Sequence, residues 1–298
     1  MKRTIEDWAV DIADYLLLGI VGFLTIYPMW YVLVISFNDG YDAMIKGIYF
    51  WPRVFSLCNY EEFFRGNDWI QAIFVSVART IVGTFLTVIF TSMVSFAFSR
   101  RQLIGRKFYS IILIICMYFG GGLIPFYVTL RGYHLLNTFW VYVIPGMLNF
   151  FYVLVGRTFF SGIPEEMLEA AKVDGANDLK VFVRVVLPVS LPLLATMTLF
   201  IAVGQWNAWM DSAYYVQSNA LRTLSYRLME IVNKSTITKI SQTAAGAGAL
   251  AQAAEAKRAT TFSLQCASLI VCVFPILCVY PFLQKYFVQG IMIGSVKG

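Results

Sequence analysis

The fold is decided by residues 165–211, EEMLEAAKVDGANDLKVFVRVVLPVSLPLLATMTLFIAVGQWNAWMD, where a densely charged segment meets a charge-free one. The twenty residues from Glu165 to Arg184 carry eight charged side chains, and the next charge is Asp211. About 20 apolar residues, each rising 1.5 Å along a helix, cross the hydrocarbon core of a bilayer. The stretch therefore predicts a charged surface loop followed directly by a transmembrane helix.

Charge-poor segments of this length recur along the chain, of which only 13% is charged, against about a quarter in typical soluble domains. Lipid admits only helices and closed barrels, and barrel strands alternate polar and apolar residues at short intervals. We therefore predict an all-α, polytopic integral membrane protein, a single domain over residues 1–298 with six transmembrane helices. The predicted spans cover about 15–38, 69–99, 108–130, 135–156, 185–210 and 259–284.

The distribution of lysine and arginine predicts the side of the membrane on which each loop lies. Six spans place both termini on one side, together with residues 100–107 and the loop 157–184. The loop 100–107, RRQLIGRK, holds four positive charges, and short loops rich in lysine and arginine stay in the cytoplasm. Both termini and the loop 157–184 are therefore predicted to be cytoplasmic, and 39–68 and 211–258 are predicted to be external segments.

The same composition argues against several classes of site. The net charge of +6 follows from the loop charges, and no basic run is interleaved with aromatics as a nucleic-acid groove requires. No G-x-x-x-x-G-K-[ST] loop is present, so no ATP site of that type is predicted in this chain. The glycine cluster 120–125, GGGLIP, is better explained by helix kinking or close packing, and the single histidine, His134, predicts no metal site.

Local signals predict two short helices inside the loop 157–184. Pro164 suits the first turn of a helix, where acidic residues would face the positive end of the helix dipole. Gly175 can take the positive φ that ends this helix, and Asn177 or Asp178 can cap the next one. The first helix would carry a partly apolar surface made of Met167, Leu168, Ala170 and Ala171.

This surface indicates contact with another protein, because a solvated connector between spans, the alternative, has no need of it. Residues 169–188, EAAKVDGANDLKVFVRVVLP, resemble the EAA loop in permease subunits of bacterial ABC importers. The matching positions are Glu169, Ala170, Ala171, Gly175, Leu187 and Pro188, with Val185 at the position of an isoleucine.

The C-terminal segment adds a second resemblance. Residues 280–298, YPFLQKYFVQGIMIGSVKG, are similar to the tail of the maltose-type second permease subunit in carbohydrate importers. Within that group the chain looks closest to the complex-oligosaccharide, lipopolysaccharide-named branch. The resemblance extends across the six spans and is looser in the external segments.

The resemblance implies a subunit without catalytic activity or cofactor of its own, located as a multi-pass protein in the bacterial cytoplasmic membrane. Its implied partners are membrane lipid, a second permease, two ATPase subunits that bind ATP and Mg²⁺, and an extracytoplasmic solute-binding protein. The EAA helix would be a coupling helix that docks on an ATPase through Glu165, Glu166, Met167, Glu169, Ala170, Ala171, Asp174 and Gly175. The tail would reach between the ATPases with Gly290, Gly294, Ser295, Val296, Lys297 and Gly298.

The substrate path has weaker signals. Trp206 and Trp209 could stack on sugar rings, with Gln205 and Asn207 as hydrogen-bonding groups, or the tryptophans could belong to an aromatic belt at the membrane interface. Tyr118 and Asn149 are further candidates for the cavity wall. Arg79, early in the second span, is predicted to snorkel to the interface; the alternative is a residue that faces a central cavity.

Two external features complete the prediction. Aromatics beside Pro52 suggest a lip at the membrane interface. Leu221, Leu224, Leu228 and Ile231 recur at helical spacing and predict an amphipathic helix, followed by an Ala/Gly-rich stretch over 241–260.

The function that follows is import of a sugar or oligosaccharide by alternating access, driven by ATP hydrolysis in the partner subunits. An ABC permease for a peptide or an amino acid is the first alternative. A secondary transporter is the second, although such proteins show ionisable residues in mid-span or repeated halves.

Overall fold

A computed structural model describes residues 5–45, 47–48, 50–65, 68–233 and 260–295 of the chain. In this part of the chain the regular elements are helices, and the one pairing of extended residues is an isolated bridge between Asn38 and Phe55. The all-α prediction is therefore confirmed.

Fourteen α-helices are numbered here in chain order over the described residues. They are α1 (Ile5–Ser36), α2 (Gly40–Ile45), α3 (Cys58–Phe64), α4 (Asp68–Ser99), α5 (Arg106–Tyr118), α6 (Leu123–Gly132), α7 (Phe150–Phe160), α8 (Glu165–Val173), α9 (Asp178–Val181), α10 (Leu187–Val189), α11 (Leu191–Asn207), α12 (Met210–Tyr215), α13 (224–233) and α14 (Thr261–Ser295). Short 3₁₀ turns cover Phe139–Tyr142, Ile144–Gly146 and Asn219–Leu221, and a π-helical turn covers Phe182–Val186.

Among the described residues, three helical segments are long and apolar enough to cross a membrane alone: Val10–Ser36, Asp68–Ser99 and Thr261–Val279. Three further helix pairs pass the same test together but are bent, by 115° between α5 and α6, by 45° ahead of α7, and by 84° between Asp178–Val189 and α11. Up to six spans result when each bent pair counts as one. The predicted spans 108–130, 135–156 and 185–210 are therefore broken rather than continuous helices.

Each break lies at glycine or proline residues, which allow a helix to bend. Helix α5 ends at Tyr118, and Gly122, with φ +82°, is the N-cap of α6; a Cβ added at Gly120 or Gly122 would meet nothing within 4 Å. A Cβ added at Gly121 would be in ordinary contact with Pro125 at 3.9 Å, so within the described chain the cluster forms the break without close packing. Pro145 lies in the 3₁₀ turn ahead of α7, and Pro188 lies in α10 ahead of α11. Pro192 is the second residue of α11, a position where its missing N–H is tolerated and the preceding helix cannot continue.

The described chain forms two compact units. The first consists of the described residues within 1–69 and 228–274, and the second of those within 70–227 and 275–298. In the first unit, the end of α1 is buried at Val34 and Ile35 and is tied by hydrogen bonds to α3.

The second unit has two apolar clusters. One combines residues of α4, α7, α8, α9, the π-helical turn and α11, and consists of Phe96, Phe160, Ile163, Leu168, Val181, Phe182, Val186, Leu193, Met197 and Ile201. The other lies around the 3₁₀ turns and α12, and consists of Leu130, Val141, Tyr142, Val143, Tyr215 and Val216. The first cluster therefore joins the charged loop to the spans.

Helix α4 buries a face of small and polar residues rather than an apolar stripe. The buried positions include Thr87, Thr91 and Ser95. Thr87 Oγ1 donates to the Gly146 carbonyl at 3.0 Å, and Thr91 Oγ1 accepts from the Asn149 amide at 3.2 Å. Small residues let transmembrane backbones approach closely, and this face brings α4 against the chain that leads into α7.

The predicted amphipathic helix begins later than its leucine spacing suggested. A 3₁₀ turn covers Asn219–Leu221, and α13 then runs over 224–233. Leu224 is buried, whereas Leu221, Leu228 and Ile231 are half-buried. Most of the Ala/Gly-rich stretch 241–260 lies outside the described residues.

Candidate functional site

The first helix of the charged loop ends in a hydrogen-bonded turn built on a glycine. Helix α8 has Pro164 as its N-cap and ends at Val173. Gly175 has φ +79°; its amide donates to the Lys172 carbonyl, and the Ala176 amide donates to the Ala171 carbonyl, both at 3.0 Å. This pair of bonds satisfies helix-end carbonyls in a Schellman turn, which needs a residue that accepts positive φ.

The second helix of the loop is capped by Asn177, one of the two predicted residues. Its Oδ1 accepts a hydrogen bond from the Lys180 amide at 2.9 Å. The neighbouring Asp178 forms an ion pair with Lys172 across the turn, at 2.8 Å between Oδ1 and Nζ. The hydrogen bond from Lys172 lowers the pKa of the Asp178 carboxyl below its usual range. One glycine, one cap and one ion pair thus define the angle between α8 and α9.

The apolar residues of α8 divide between two faces. Leu168 is 2% exposed and belongs to the cluster shared with α4, α7 and α11, and the half-buried Ala171 packs against that cluster. Met167 and Ala170 point outward, and so does Val173, which is 87% exposed. The predicted single surface is therefore wrong in two respects: Leu168 anchors the helix, and Val173, which we had not singled out, extends the exposed face.

The acidic residues predicted for this loop lie on its exposed side. Glu165 and Glu166 occupy the first turn of α8, and Glu169 and Asp174 are exposed along the same helix and at its C-cap. The outward face of α8 thus combines carboxylates with the apolar side chains of Met167, Ala170 and Val173. Such a mixed face is suited to contact with a basic, partly apolar protein surface.

A second concentration of polar groups surrounds Arg79 near the start of α4. The Arg79 side chain is buried and donates from Nε to Gln205 Oε1 at 2.9 Å and from Nη1 to the Ala208 carbonyl at 2.9 Å. Its Nη2 forms an ion pair with Asp211, and the guanidinium lies 4.7 Å from the centre of the Tyr142 ring. One side chain therefore connects α4 with the 3₁₀ turn 139–142, the end of α11 and the start of α12.

The prediction that Arg79 snorkels to the interface is wrong. A snorkelling side chain places its charge in water, whereas this guanidinium is satisfied by protein groups from distant parts of the chain. Asp211 and Tyr142 are functional candidates that sequence reasoning missed as partners. The sequence did contain a signal for this pair. Asp211 is an acidic residue at the end of the fifth span, and Arg79 is a basic residue near the matching end of the second span.

These features agree with the family to which the sequence is similar. Residues 64–293 match the family described as binding-protein-dependent transport system inner membrane component. The chain belongs to this family. The permease is accordingly an inner-membrane protein, as predicted.

Individual relatives cover the whole permease. It is 33% identical over 298 residues to Protein LplC of Bacillus subtilis (strain 168), covering 100% of this chain and 98% of that protein. It is 33% identical over 288 residues to the polygalacturonan/rhamnogalacturonan transport system permease protein YtcP of the same organism, covering 97% and 98% of the two chains. These names give no support to the narrower resemblance to a lipopolysaccharide-named branch.

A solved structure shares the fold. It is described as the crystal structure of a bacterial ABC transporter involved in the import of the acidic polysaccharide alginate. The match has a TM-score of 0.84 at 24% identity and covers 96% of this chain and 99% of that one. The helices and breaks described above therefore form an ABC permease fold.

The predicted substrate-path residues are only partly brought together in the permease. Gln205 contacts Arg79, and a Cβ added at Gly83 would lie 3.0 Å from the Gln205 side chain. Asn149 caps α7 through its Oδ1, which accepts from the Tyr152 amide at 3.1 Å. Tyr118, at the end of α5, is exposed.

The two tryptophans of this segment have different surroundings. Trp206 is 7% exposed and lines an apolar cavity of about 270 Å³ with residues that include Val77, Val203 and Pro275. Its carbonyl accepts a hydrogen bond from Ser225 Oγ at 2.6 Å. Trp209 is half-buried at the start of α12, and Asn207 is exposed. Trp206, which was predicted to stack on sugar rings, is therefore a buried indole among apolar residues.

The predicted C-terminal tail continues the last helix. Helix α14 runs to Ser295 and so includes Gly290 and Gly294. Val296, Lys297 and Gly298 lie outside the described residues. A role for this tail between ATPase subunits stays a prediction.

Proposed function

We propose that the permease is a non-catalytic subunit of a heterodimeric, ATP-driven importer of a sugar or oligosaccharide. It works with a second permease, two ATPase subunits that bind ATP and Mg²⁺, and an extracytoplasmic binding protein. Both termini and the loop 157–184 face the cytoplasm in this arrangement. The 33% identity to a protein named as a polygalacturonan/rhamnogalacturonan permease, over almost the whole chain, supports the substrate class.

The observation that carries this proposal is the construction of α8. Its outward face presents Met167, Ala170 and Val173 beside exposed carboxylates, while Leu168 on the opposite face lies in the cluster that contains residues of α4, α7 and α11. A force applied to the outward face by a closing ATPase would therefore be transmitted to three spans through a packed core. Packed interiors have low compressibility and transmit displacement.

The docking contact itself would be electrostatic and apolar together. Glu169 is exposed on α8 and would pair with a basic residue of the ATPase. ATP-driven closure shifts the permease between states only if the ATPase contacts differ in the two states. We assign that differential contact to the outward face of α8.

The experiment is a coupling assay on the complete importer in nanodiscs. Glu169→Lys should reduce two quantities about tenfold or more: the stimulation of ATP hydrolysis by loaded binding protein, and solute uptake. The lysine would face the basic ATPase residue, and the loss of this contact corresponds to at least about 1.4 kcal/mol. Glu62→Lys is the matched control. It makes the same charge change at an exposed ion pair with Arg65, 2.9 Å away on α3, and should leave coupling unchanged.

Two results would contradict separate parts of the proposal. Normal coupling by the Glu169→Lys complex, with all subunits still associated, would remove the docking assignment. Uptake of a peptide or an amino acid but of no mono- or oligosaccharide from a tested panel would remove the substrate class and leave the docking assignment standing.

A further inference from the structure

Residues 50–55, here called the aromatic lip, turn back along the end of the first span. The Trp30 indole N–H donates to the Phe50 carbonyl at 2.9 Å. The Trp51 ring meets the Trp30 ring edge-on, with centroids 5.5 Å apart, and the Phe50 ring lies 5.6 Å from that of Tyr27. The lip therefore lies beside residues of α1 that precede its end at Ser36.

These contacts give the lip a depth relative to the membrane. The apolar segment Val10–Ser36 has 27 residues, or roughly 40 Å at 1.5 Å per residue, which matches a bilayer with its headgroup layers. Trp30 lies six residues before Ser36, roughly 9 Å along the helix axis. That distance places Trp30 and the lip beside it near the boundary between headgroups and hydrocarbon.

The lip exposes aromatic surface at this depth. Phe50 is 55% exposed, Trp51 73% and Phe55 67%. The adjoining surface of α1 is also uncovered, since only 11% of its apolar window is buried. The lip thus continues a surface that a membrane-spanning helix presents to lipid.

Several polar groups of the lip are paired, which lowers the cost of placing them beside lipid. Arg53 Nε donates to both carboxylate oxygens of Asp42 at 3.0 and 3.1 Å, and its Nη2 donates to the Asp42 carbonyl at 3.1 Å. The Val54 amide donates to Asn38 Oδ1, and its carbonyl accepts from the Asp39 amide, both at 2.9 Å. Pro52 has no N–H to satisfy.

A buried hydrogen-bond network holds the base of the lip in place. Asn59 donates to the carbonyls of Ser36 and Asn38 at 3.0 and 2.8 Å, and Ser263 Oγ donates to Asn59 Oδ1 at 2.7 Å. The Tyr60 hydroxyl shares a 2.7 Å hydrogen bond with Ser36 Oγ. All of these residues except Tyr60 have fully buried side chains. These hydrogen bonds fix the base of the lip to both the end of α1 and the start of α14.

We infer that the aromatic lip is an interfacial anchor, whose Phe50, Trp51 and Phe55 side chains insert among the lipids at the headgroup–hydrocarbon boundary beside α1. Tryptophan and other amphipathic aromatics favour that boundary. A docked protein would use similar side chains, but the alignment of the lip with Tyr27 and Trp30 places it alongside a span instead of beyond the membrane surface.

The test is the depth of Trp51 in the full-length chain reconstituted in phosphatidylcholine nanodiscs. Trp51→Phe removes one of seven tryptophans while keeping an aromatic ring, so the fluorescence difference between wild type and variant reports the Trp51 indole. Phosphatidylcholine brominated near the top of its acyl chains should quench this difference signal about twofold or more, and aqueous iodide should leave it nearly unchanged. Phe55→Trp, made in the otherwise wild-type chain, should add a second signal that brominated lipid quenches.

Other outcomes would overturn the inference. Quenching of the difference signal by iodide and not by brominated lipid would place the lip in water. Quenching by neither would mean that protein covers it. The Phe55→Trp gain of signal is independent of any loss caused by Trp51→Phe, so a folding defect in one variant would not decide the result.

Discussion

The two charge-rich regions of the permease use charge in opposite ways. Around Arg79 the charge is buried, and its partners come from positions 126 to 132 residues away in the chain. In the loop 165–184 the charges are exposed, and the pairing is local, with Lys172 and Asp178 closing a single turn. In the first region a buried guanidinium depends on its protein partners, although the Asp211 side chain is 35% exposed; the second region leaves a face available for a partner. Substitutions should therefore cost much more stability in the first region, except where the loop meets the core.

The largest effect on stability is expected at the ion pair between Arg79 and Asp211. Asp211→Leu should lower the free energy of unfolding by about 3–5 kcal/mol, because it leaves the Arg79 guanidinium buried without its counter-charge. Denaturant titration of the purified protein in detergent micelles would measure the loss. The double variant Arg79→Met/Asp211→Leu is the control and should recover at least about 1 kcal/mol, since neither charge then remains. Strictly additive losses would show that the pair is not coupled.

Leu168→Ala tests whether the loop 165–184 is anchored to the spans through the buried side chain of Leu168. Leu168 is 2% exposed, and truncation of a buried leucine costs about 3 kcal/mol. Met167→Ala, one position earlier and 41% exposed, should cost less than about 0.5 kcal/mol. The same denaturant titration compares them, and equal losses would contradict the division of α8 into an anchoring and an outward face.

A smaller effect is expected where backbone conformation alone decides. Gly175→Ala should cost about 1–2 kcal/mol, because a Cβ is unfavourable at φ +79° although no atom lies within 4 Å of it. Gly120→Ala, which also meets nothing within 4 Å, should stay within about 0.5 kcal/mol of the wild type. Thermal unfolding monitored by circular dichroism would separate the two, and a neutral Gly175→Ala would contradict the turn described here.

The smallest effect is expected for the exposed ion pair. Asp178→Asn should cost about 0.3 kcal/mol at pH 7, since both side chains are more than a third exposed and solvent screens them. Because Lys172 lowers the folded-state pKa of Asp178, the stabilisation is present above the unfolded pKa and disappears as pH falls through the folded pKa. Unfolding of wild type and variant at pH 7 and near pH 2, and again in about 1 M salt, would measure it. A difference that grows in acid would contradict this account.

Local spacing was enough to predict much of the loop 165–184 but not the burial of Arg79. The charge-free segments predicted spans where the structure has long apolar helices or bent helix pairs, and the Gly175 and Asn177 signals located a turn and a cap that the structure contains. The face of α8 was not predictable to the same degree. Leu168 and Met167 are adjacent and both apolar, and which of them is buried depends on where Phe160, Val181 and Met197 lie in space.

The breaks in the spans show the same limit. Glycine and proline clusters mark where a helix can bend, but a bend of 115° at 119–122 or of 84° near Ser190 depends on what each half packs against. Likewise, the small polar residues of α4 recur at helical spacing, yet their hydrogen bonds go to Gly146 and Asn149, more than fifty residues away.

The sequence by itself determined the all-α class, the approximate positions of up to six spans, the capped turn in the charged loop and the resemblance to a permease family. Each of these rests on charge, hydropathy or spacing within a few turns of chain. Only the tertiary structure decided that Arg79 is buried, which face of α8 is available and where the aromatic lip lies. Those outcomes depend on contacts between residues far apart in the chain. A charge or a polar group can be buried only where other residues pair with it, and local sequence patterns do not reveal those partners.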